Sequence, residues 1–454
     1  MSGVSAQIDP LPIEPVRGPL SAAIRVPGSK SLSNRHLVLA ALAHGETRLR
    51  GLLACDDCDR LLAALDACGV AHRIEQTTGD VIITGGAGRL PRGASVNLGD
   101  GGTPTRFMLA LAALADGDTI VDGSARMRER PVAEGVELLR ALGARIEYIE
   151  AEGRLPVRIR GGTLRGGAIE VGRTASSQFV SALMLVAPAL SQGVDIRFTD
   201  APTSASYLEL SLAALAAAGV NAEITRGPVL LSAATLGGGL ARIAIAPQPI
   251  RAGAIDIEPD ASSAVYPAAA AVLCGGTVAL EGLPRHSAQP DIAFLDDIAM
   301  RGARVEVVAR DRDTPPTATR VSAGKHLRGH DANYARMPDA AVMAMVLAAC
   351  GDGPSLFTGL GTLRVKESDR IASVAAGLRA LGGTVETGDD WARVHPLPLR
   401  MTPASIDTVN DHRIAMAFAV LGLAREGVSI ANPACVGKSW PGFWSALDLL
   451  RSTT

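Results

Sequence analysis

The chain has 454 residues, too many for one ordinary hydrophobic core, so two or three domains are expected. Apolar residues make up 47% and charged residues 20%, as in globular proteins, and no unbroken run of 18 apolar residues could span a membrane. The net charge of −2 and the absence of basic runs argue against nucleic acid as a partner.

The N-terminal stretch MSGVSAQIDPLPIEPV lacks the basic and apolar segments of a signal peptide, which favours a cytoplasmic protein. The alternating segment LSAAIRV then predicts a strand, and PGSKSLSNR leads into an apolar helix. Gly28 and Lys30 suggest a nucleotide-binding P-loop, but Ser29 separates them and the earlier glycine is missing. The stretch fails as a nucleotide motif, so its lysine needs another explanation.

The six cysteines are scattered, which is typical of reduced cysteines in a cytosolic protein. Cys55 and Cys58 form a lone C-x-x-C without the second pair that a zinc site needs. No metal site is therefore expected.

A polar cluster that opens an apolar helix recurs along the chain at intervals of 72 to 85 residues. Its copies are marked by Lys30, Thr103, Ser177, Ser262, Ala340 and His412. Five helices ending at a glycine lie between the copies, each followed by a strand-like segment. The pattern predicts six units of the order helix, strand, helix, strand, strand.

Three units fall before about residue 257 and three after, which predicts two similar α/β domains. The sixth unit stops after its second helix, and we expect the early strand LSAAIRV to complete it. The second domain then contains the N-terminal segment. Residues 239–260 are the expected connector between the two halves.

Each polar cluster stands at a predicted helix N-terminus, where free N–H groups and the helix dipole favour anions. Serine, threonine and aspartate are also ordinary helix caps, so one such cluster alone indicates little. Only four of the 44 basic residues are lysine, and Lys30, Lys366 and Lys438 all lie beside helix starts. Ammonium and guanidinium groups so placed predict binding of phosphates and carboxylates. Asp339 and Glu367, in the same clusters, are the acid–base candidates.

The chain resembles the 5-enolpyruvylshikimate-3-phosphate synthase family in nine motifs between Pro27 and Trp444. In order they are PGSKSLSNR, DGGTPTR, RMRERP, ASSQFV, PDASSA, MPDAA, RVKESDR, NDHRIAM and VGKSWPGFW. The resemblance implies an α/β fold of two similar domains, each of three βαβαββ units in an inside-out α/β barrel arrangement. It places one domain at 1–27 plus 258–454 and the other at 28–257, with the active site in the cleft between them.

The resemblance also implies a reaction. The enolpyruvyl group of phosphoenolpyruvate passes to the 5-hydroxyl of shikimate 3-phosphate, with release of phosphate, by addition and elimination through a tetrahedral intermediate. The step belongs to the shikimate pathway, which leads to chorismate and the aromatic amino acids. No cofactor and no metal are implied; the expected partners are the two small-molecule substrates, and the protein is expected to be a monomer.

Site residues follow from the motif positions by resemblance. Contacts to phosphoenolpyruvate are expected from Lys30, Gly102, Arg130, Gln178, Arg370, Arg413 and Lys438. Contacts to shikimate 3-phosphate are expected from Lys30, Ser31, Arg35, Ser176, Ser177, Gln178, Ser204, Tyr207, Asp339 and Lys366. The expected catalytic residues are Lys30, Asp339, Glu367 and Lys438, with Asp339 assigned to the 5-hydroxyl. Which of the other three exchanges the methylene proton stays open.

Three places depart from the family pattern. Asp100-Gly101-Gly102-Thr103 replaces Asn-Ala-Gly-Thr, Thr362 replaces an asparagine, and Ala205-Ser206 replace Lys-Pro. These changes, with Pro104 beside the first, leave affinities and glyphosate sensitivity open but not the reaction class.

Two other functions are disfavoured by the sequence. The sister family, which acts on UDP-N-acetylglucosamine, carries a loop cysteine shortly before an Arg-Pro, whereas this chain has no cysteine between Cys68 and Cys274. A non-catalytic repeat scaffold would be free to lose the charged positions, and all of them are present.

Overall fold

The structure, a computed structural model, describes residues 8–227, 239–308 and 318–452. The α-helices within these residues are α1 (Lys30–Leu42), α2 (Asp56–Ala67), α3 (Gly102–Ala112), α4 (Ala125–Glu129), α5 (Ala133–Ala141), α6 (Ser177–Val186), α7 (Ala205–Ala217), α8 (Ala261–Cys274), α9 (Phe294–Met300), α10 (Ala341–Ala348), α11 (Arg370–Ala380), α12 (His412–Ala424) and α13 (Phe443–Ser452). Short 3₁₀ helices span Ala187–Ala189, Pro290–Ala293, Gly361–Val365 and Pro433–Lys438.

The strands of the described residues are short. They are β1 (Leu11–Pro12), β2 (Leu20–Ile24), β3 (Glu46–Arg50), β4 (His72–Ile74), β5 (Val81–Thr84), β6 (Ser95–Asn97), β7 (Asp118–Asp122), β8 (Arg145–Tyr148), β9 (Val157–Arg160), β10 (Gly167–Val171), β11 (Val194–Phe198), β12 (Glu223–Gly227), β13 (Gly239–Ile245), β14 (Ala254–Asp256), β15 (Gly276–Glu281), β16 (Arg304–Val308), β17 (Ala318–Ser322), β18 (Ala332–Asn333), β19 (Ser355–Thr358), β20 (Val385–Thr387), β21 (Ala392–Val394), β22 (Ala404–Ile406) and β23 (Val428–Ile430).

Contacts divide the chain into two compact units. The middle unit is Gly28–Ile257, and the terminal unit combines Met1–Pro27 with Glu258–Thr454. In its described residues, the middle unit has three four-stranded sheets, with the orders β14-β3-β5-β4, β6-β7-β9-β8 and β10-β11-β13-β12. In each of them the first pair is parallel and the other two pairs are antiparallel.

The described part of the terminal unit has two four-stranded sheets of the same pairing, β2-β15-β17-β16 and β18-β19-β21-β20. Its third sheet has three strands, in which β22 and β23 are parallel and β1 is antiparallel to β23. The structure is therefore a mixed α/β fold built from several small sheets.

Helices that are buried on nearly all sides form the core of each unit. In the middle unit α1, α3 and α6 contact one another and are buried over most of their length. In the terminal unit α8, α10 and α12 do the same. The remaining long helices are amphipathic or half-buried and pack around these central helices.

The predicted helix boundaries are confirmed. The six central helices begin within one residue of the six marker positions. The five predicted glycine stops are Gly69, Gly143, Gly219, Gly302 and Gly382, and each has a positive φ, between 74° and 112°. This left-handed conformation ends a helix and costs glycine no Cβ clash. The strand-like segments GDTIVDG, VDIRFTD, GTVALEG and SLFTGL are β7, β11, β15 and β19.

The prediction that LSAAIRV completes the sixth unit is wrong. This segment is β2, and it pairs in parallel with β15, with Leu20 opposite Gly276. The sheet of β22 and β23 is instead extended by β1, where Leu11 lies opposite Ile430. Leu20 and Ile24 share one hydrophobic core with the inward residues of β15, and this burial determines where β2 pairs.

The prediction that residues 239–260 form a connector is also wrong for most of that stretch. β13 is a central strand of its sheet, flanked by β11 and β12, and β14 pairs with β3. The alternating pattern of GLARIAI fits a half-buried strand, because Leu240, Ile243 and Ile245 are buried. Within this stretch the boundary between the units falls between Ile257 and Glu258, and the other boundary lies between Pro27 and Gly28.

Candidate active site

The three central helices of the terminal unit begin at one place. Arg413, the second residue of α12, donates to Asp339, which lies two residues before α10, over 3.0 Å. The carboxylate of Asp291 accepts a hydrogen bond from the backbone N–H of Ala340 over 3.2 Å and contacts the hydroxyl of Ser262 in α8. Three positive helix ends therefore converge on the same group of side chains.

Arg370 is the centre of a dense group of charges at this point. Its guanidinium donates to Asp339 (2.8 Å), Glu367 (2.7 Å) and Asp411 (2.8 and 3.3 Å), and only 1% of its side chain is exposed. We call the following residues the Arg370 cluster: Asp339, Lys366, Glu367, Arg370, Asp411, Arg413 and Lys438. It contains four cations and three carboxylates.

Asp339 is surrounded by cations. Lys366 Nζ lies 3.5 Å from its Oδ1, and Arg370 and Arg413 each hold one oxygen. Burial by itself would raise the pKa of Asp339, but Arg413, Lys366 and Arg370 outweigh burial and hold that pKa well below its usual range. Asp339 is therefore ionised, and it is an acceptor and not a donor toward any ligand.

Glu367 links Arg370 to Lys438. One carboxylate oxygen accepts from Arg370 and the other lies 3.5 Å from Lys438 Nζ. Both side chains keep some contact with solvent, 17% for Glu367 and 14% for Lys438. An acid and a base so close together can exchange a proton with a ligand and with each other.

Asp291 lies behind this cluster and is buried. Burial and the neighbouring charge of Asp339 raise the pKa of Asp291 to about 6, although Arg413 and Ser262 act in the opposite direction. The carboxyl group supports the start of α10 directly beneath Asp339.

The three central helices of the middle unit also bring their N-termini together. Lys30, the first residue of α1, pairs with Asp57 of α2 over 3.4 Å. The carboxylate of Asp57 lies against Gly101, the cap of α3, where a Cβ would come within 3.2 Å of Oδ1. Gln178 of α6 donates to Thr103 of α3 over 2.9 Å. We call Lys30, Asp57, Gly102, Thr103, Arg130 and Gln178 the Lys30 cluster.

Arg130 lies directly over the start of α3. A Cβ on Gly102 would come within 2.7 Å of Arg130 Nη1, so only glycine allows this approach. The guanidinium contacts the sulfur of Met127 at 3.8 Å, and its buried Nε has no hydrogen-bond partner in the described part of the chain. Asp100 lies nearby and accepts from the hydroxyl of Ser124.

Arg35 is a buried cation, 2% exposed. Its donors go to the hydroxyls of Ser181 and Ser211 and to the carbonyls of Ser31 and Tyr207. Burial lowers the pKa of Arg35 to about 10. None of these hydrogen-bond partners carries a charge, so an anion nearby would be strongly favoured.

The remaining predicted residues of the middle unit lie at the starts of two helices. Ser176 caps α6 by accepting from the Gln178 N–H over 3.3 Å, and Ser177 is the first residue of that helix. Ser204 precedes α7 with a left-handed φ of 49°, unusual for a residue with a Cβ. Its carbonyl accepts from the Tyr207 N–H, so these two residues lie in the same turn.

The predicted site residues divide between the units. Within the middle unit are Lys30, Ser31, Arg35, Gly102, Arg130, Ser176, Ser177, Gln178, Ser204 and Tyr207. Within the terminal unit are Asp339, Lys366, Glu367, Arg370, Arg413 and Lys438, and the structure brings all six together.

Sequence reasoning missed four residues that contact these groups: Asp57, Arg106, Asp291 and Asp411. Arg106 donates to the Gln178 side chain over 2.5 Å and stacks on Phe179 at 5.0 Å. Asp411 stands in the NDHR motif directly before a predicted helix, and that capping position was the available signal. Asp57 lies inside the C-x-x-C, a motif whose cysteines by themselves point to zinc or redox chemistry and not to the aspartate between them.

The described residues contain no group of three or more histidine, cysteine, aspartate and glutamate side chains arranged to hold a metal ion. Among the same residues, no helix combines the length and the apolar character needed to cross a bilayer.

Comparison with known proteins identifies similar chains. The family model for EPSP synthase (3-phosphoshikimate 1-carboxyvinyltransferase) matches residues 16–447. A 3-phosphoshikimate 1-carboxyvinyltransferase of Edwardsiella ictaluri is 37% identical over 97% of this chain and 98% of its own length. The 3-phosphoshikimate 1-carboxyvinyltransferase of Ralstonia nicotianae is 40% identical over 94% of this chain and 97% of its own length. The solved EPSP synthase of Acinetobacter baumannii superposes with a TM-score of 0.78 at 25% identity, covering 96% of this chain and 97% of that one.

Proposed function

The chain belongs to the EPSP synthase family, and we propose that residues of both units bind the two substrates of its reaction. The enzyme transfers the enolpyruvyl group of phosphoenolpyruvate to the 5-hydroxyl of shikimate 3-phosphate and releases phosphate, on the way to chorismate and the aromatic amino acids. The observation that carries the site proposal is the pair of charged clusters, each built where three central helices begin.

The charges suit these substrates. Each substrate brings one phosphate and one carboxylate, and the Arg370 cluster has more cations than carboxylates. Among the described residues of the middle unit, Arg35 has no charged hydrogen-bond partner, and the buried Nε of Arg130 has no hydrogen-bond partner. Bound anions would compensate these cations, since charge-assisted hydrogen bonds are strong when the donors are already in place.

We assign the residues as follows. Phosphoenolpyruvate is bound by Lys30, Gly102, Arg130, Gln178, Arg370, Arg413 and Lys438. Shikimate 3-phosphate is bound by Lys30, Ser31, Arg35, Ser176, Ser177, Gln178, Ser204, Tyr207, Asp339 and Lys366. The contact of Gly102 with Arg130 supports the first assignment. It places a guanidinium beside the N–H groups of a helix start, where both can donate to the same anion.

Asp339 takes the proton of the 5-hydroxyl in this proposal. In the free enzyme three cations hold its pKa well below the usual range, which makes it a weak base. Substrate phosphates and carboxylates that bind Arg370, Arg413 and Lys366 would weaken that effect and raise the basicity of Asp339. The base would then become competent only when both substrates are present.

The residue that exchanges a proton with the methylene carbon is Lys30, Glu367 or Lys438. During addition a proton must reach the methylene carbon while the 5-hydroxyl oxygen attacks the neighbouring carbon. During elimination a proton leaves the new methyl group as phosphate departs, so both transfers reverse. The 3.5 Å contact of Glu367 with Lys438 favours these two as the exchanging pair. Lys30, held by Asp57, then serves to bind the phosphate.

The finer statements about the fold are proposals too. We propose a six-fold repeat of the inside-out barrel type, supported by the parallel–antiparallel–antiparallel pairing of five sheets. Closure of the units over the substrates is a further proposal; it follows from the assignment of contacts in both units to each substrate. A monomer located in the cytoplasm is likewise proposed.

The decisive experiment measures phosphate release by the purified protein. Release is expected only when phosphoenolpyruvate and shikimate 3-phosphate are both present. Release with UDP-N-acetylglucosamine in place of shikimate 3-phosphate would overturn the assignment.

Lys30→Ala tests the site. We expect activity to fall by about a hundredfold to ten-thousandfold, as for loss of a group that acts in a proton transfer or on the phosphate. Lys325→Ala is the matched control, because Lys325 is exposed and lies outside both clusters. Near-normal turnover in Lys30→Ala would remove this lysine from the mechanism.

A further inference from the structure

The C-x-x-C at the start of α2 forms a pair of interacting thiols. Cys55 is the N-cap of the helix and Cys58 lies in its first turn, and they are 3% and 0% exposed. Because they stand three positions apart on the first turn, their side chains lie on the same side of α2. Two cysteines in these positions at a helix N-terminus have the arrangement used by dithiols that convert to disulfides.

Cys55 differs chemically from the other cysteines. The interaction with Cys58 lowers the pKa of Cys55, and Lys30 adds to this effect, although burial opposes both; the same interaction and burial hold the pKa of Cys58 well above its usual range. At Cys68, Cys274, Cys350 and Cys435, burial raises the pKa to between about 11 and about 12. Since the thiolate is the reactive form of cysteine, Cys55 is the thiol best suited to attack an oxidant.

The pair is connected to Lys30 in two ways. Asp57 lies between the two cysteines, and its carboxylate pairs with Lys30 over 3.4 Å. Asn34 donates to the Lys30 carbonyl over 2.9 Å and to the Cys58 sulfur at 3.9 Å. A disulfide requires a sulfur–sulfur distance of about 2.05 Å, whereas both thiols are free in this structure. Closing it must therefore move the first turn of α2, which carries Asp57.

We propose that Cys55 and Cys58 form a redox-sensitive site, in which peroxide produces a disulfide that displaces Asp57 and Lys30 and slows the reaction. The Cys55 thiolate attacks one oxygen of hydrogen peroxide, giving a sulfenic acid and hydroxide. The Cys58 sulfur then attacks the sulfenic sulfur and water leaves. In sum, two thiols lose two electrons and two protons, and one peroxide becomes two water molecules. A dithiol reductant reverses the change.

The effect on turnover rests on the proposed role of Lys30, whereas formation of the disulfide does not. Two measurements separate them. Phosphate release is followed before and after treatment with hydrogen peroxide, and then after dithiothreitol. In parallel, mass spectrometry examines the tryptic peptide GLLACDDCDR, residues 51–60, which contains both cysteines and would lose the mass of two hydrogens.

We expect peroxide to slow phosphate release by about tenfold to a hundredfold, as for a displacement of about 1 Å at a catalytic group. Dithiothreitol should restore the rate. Cys55→Ser, whose hydroxyl can cap α2, and Cys58→Ala should both resist peroxide. Cys435→Ser should respond like the unaltered enzyme; it is the control because Cys435 lies three residues from Lys438.

Three results would overturn the inference: no disulfide in the 51–60 peptide, a full disulfide with an unchanged rate, or equal inactivation of Cys55→Ser. Loss of sensitivity in Cys435→Ser would place the oxidation at Cys435 and also contradict it. A reduced protein that releases no phosphate with both substrates overturns the proposed function instead, and the peptide mass still decides whether the dithiol is oxidisable.

Discussion

Asp411 holds the guanidinium of Arg370 by two hydrogen bonds, 2.8 Å to Nε and 3.3 Å to Nη2. The two side chains are 0% and 1% exposed, so this ion pair is screened from water. The same carboxylate accepts from the Arg413 N–H over 3.0 Å and caps α12. One aspartate therefore determines both the orientation of Arg370 and the start of the helix that presents Arg413.

Asp411→Asn keeps a capping oxygen but removes the charge. We expect the free energy of unfolding to fall by about 3 kcal/mol, the lower end for breaking a buried pair, since Arg370 retains two other carboxylates. The ratio kcat/KM for phosphoenolpyruvate should fall by about tenfold or more, because Arg370 is no longer held in place. Urea unfolding and steady-state phosphate release measure the two effects.

The control is Asp369→Asn. Asp369 also caps a helix, α11, but its carboxylate pairs with the partly exposed Arg364 over 2.6 Å. An exposed pair is worth about 0–1 kcal/mol, so this variant should remain stable and active. Equal losses in the two variants would show that the burial of the Asp411–Arg370 pair has no special importance.

Gly102→Ala should weaken binding of phosphoenolpyruvate and leave the fold intact. The new Cβ would meet the far end of the Arg130 side chain, 2.7 Å from Nη1, and a flexible side chain can move away. We expect KM for phosphoenolpyruvate to rise by about tenfold, a cost of roughly 1.4 kcal/mol, with a smaller change for shikimate 3-phosphate. Gly353→Ala is the control, because nothing lies within 4 Å of a Cβ at that position. An unchanged KM for phosphoenolpyruvate would separate Arg130 from that substrate.

Asp291→Asn should change how stability depends on pH. In the folded protein the pKa of Asp291 is raised to about 6 by burial and by Asp339, so the fold favours the neutral form. Its contribution to stability is complete below about pH 4 and is lost as the pH rises through about 6. The variant is neutral at every pH and keeps an oxygen for the Ala340 N–H.

We therefore expect the free energy of unfolding of Asp291→Asn to rise by about 1–3 kcal/mol relative to that of the unaltered protein when the pH is raised from about 4.5 to about 7.5. Urea unfolding at both values tests this. Asp291→Ala, which lacks the acceptor for Ala340, should be less stable at both. The explanation fails if the unaltered protein becomes more stable relative to Asp291→Asn as the pH rises.

Val409→Asn should stabilise the protein. Val409 has a φ of 49° and is 51% exposed, and a β-branched residue is strained in this left-handed conformation. Asparagine tolerates it, so the free energy of unfolding should rise by about 1 kcal/mol. Asn410, the next residue, has a φ of 55° and provides the reverse test. Asn410→Val should lower the free energy of unfolding. If the two variants shift the free energy of unfolding in the same direction, backbone strain is not the cause.

Local signals in the sequence were sufficient to locate the helices. A polar cap, an apolar helix and a terminal glycine act over neighbouring residues, so Lys30, Ser177 and His412 could be placed at helix starts without any tertiary information. The resemblance to one family also rested on contiguous motifs, and the family match over residues 16–447 confirms it.

Strand pairing could not be predicted in the same way. The segment that became β2 is followed directly by α1, yet its partner β15 lies about 250 residues further along the chain. Any short alternating strand can pair with many others, and the choice depends on which core its buried side chains join. For β2 that core is the one shared by Leu20, Ile24 and Val278.

The sequence by itself determined which residue types stand at each helix start. Those residue types indicate that the protein binds anions, and the motifs that contain them identify its family. Only the tertiary structure decided which charges meet. Asp411 lies 41 residues from Arg370, and Asp291 lies 49 residues from Ala340, and no spacing in the chain relates them. Their contacts exist because packing the apolar helices against one another brings their N-termini together, and buried charges must then find partners or shift their pKa.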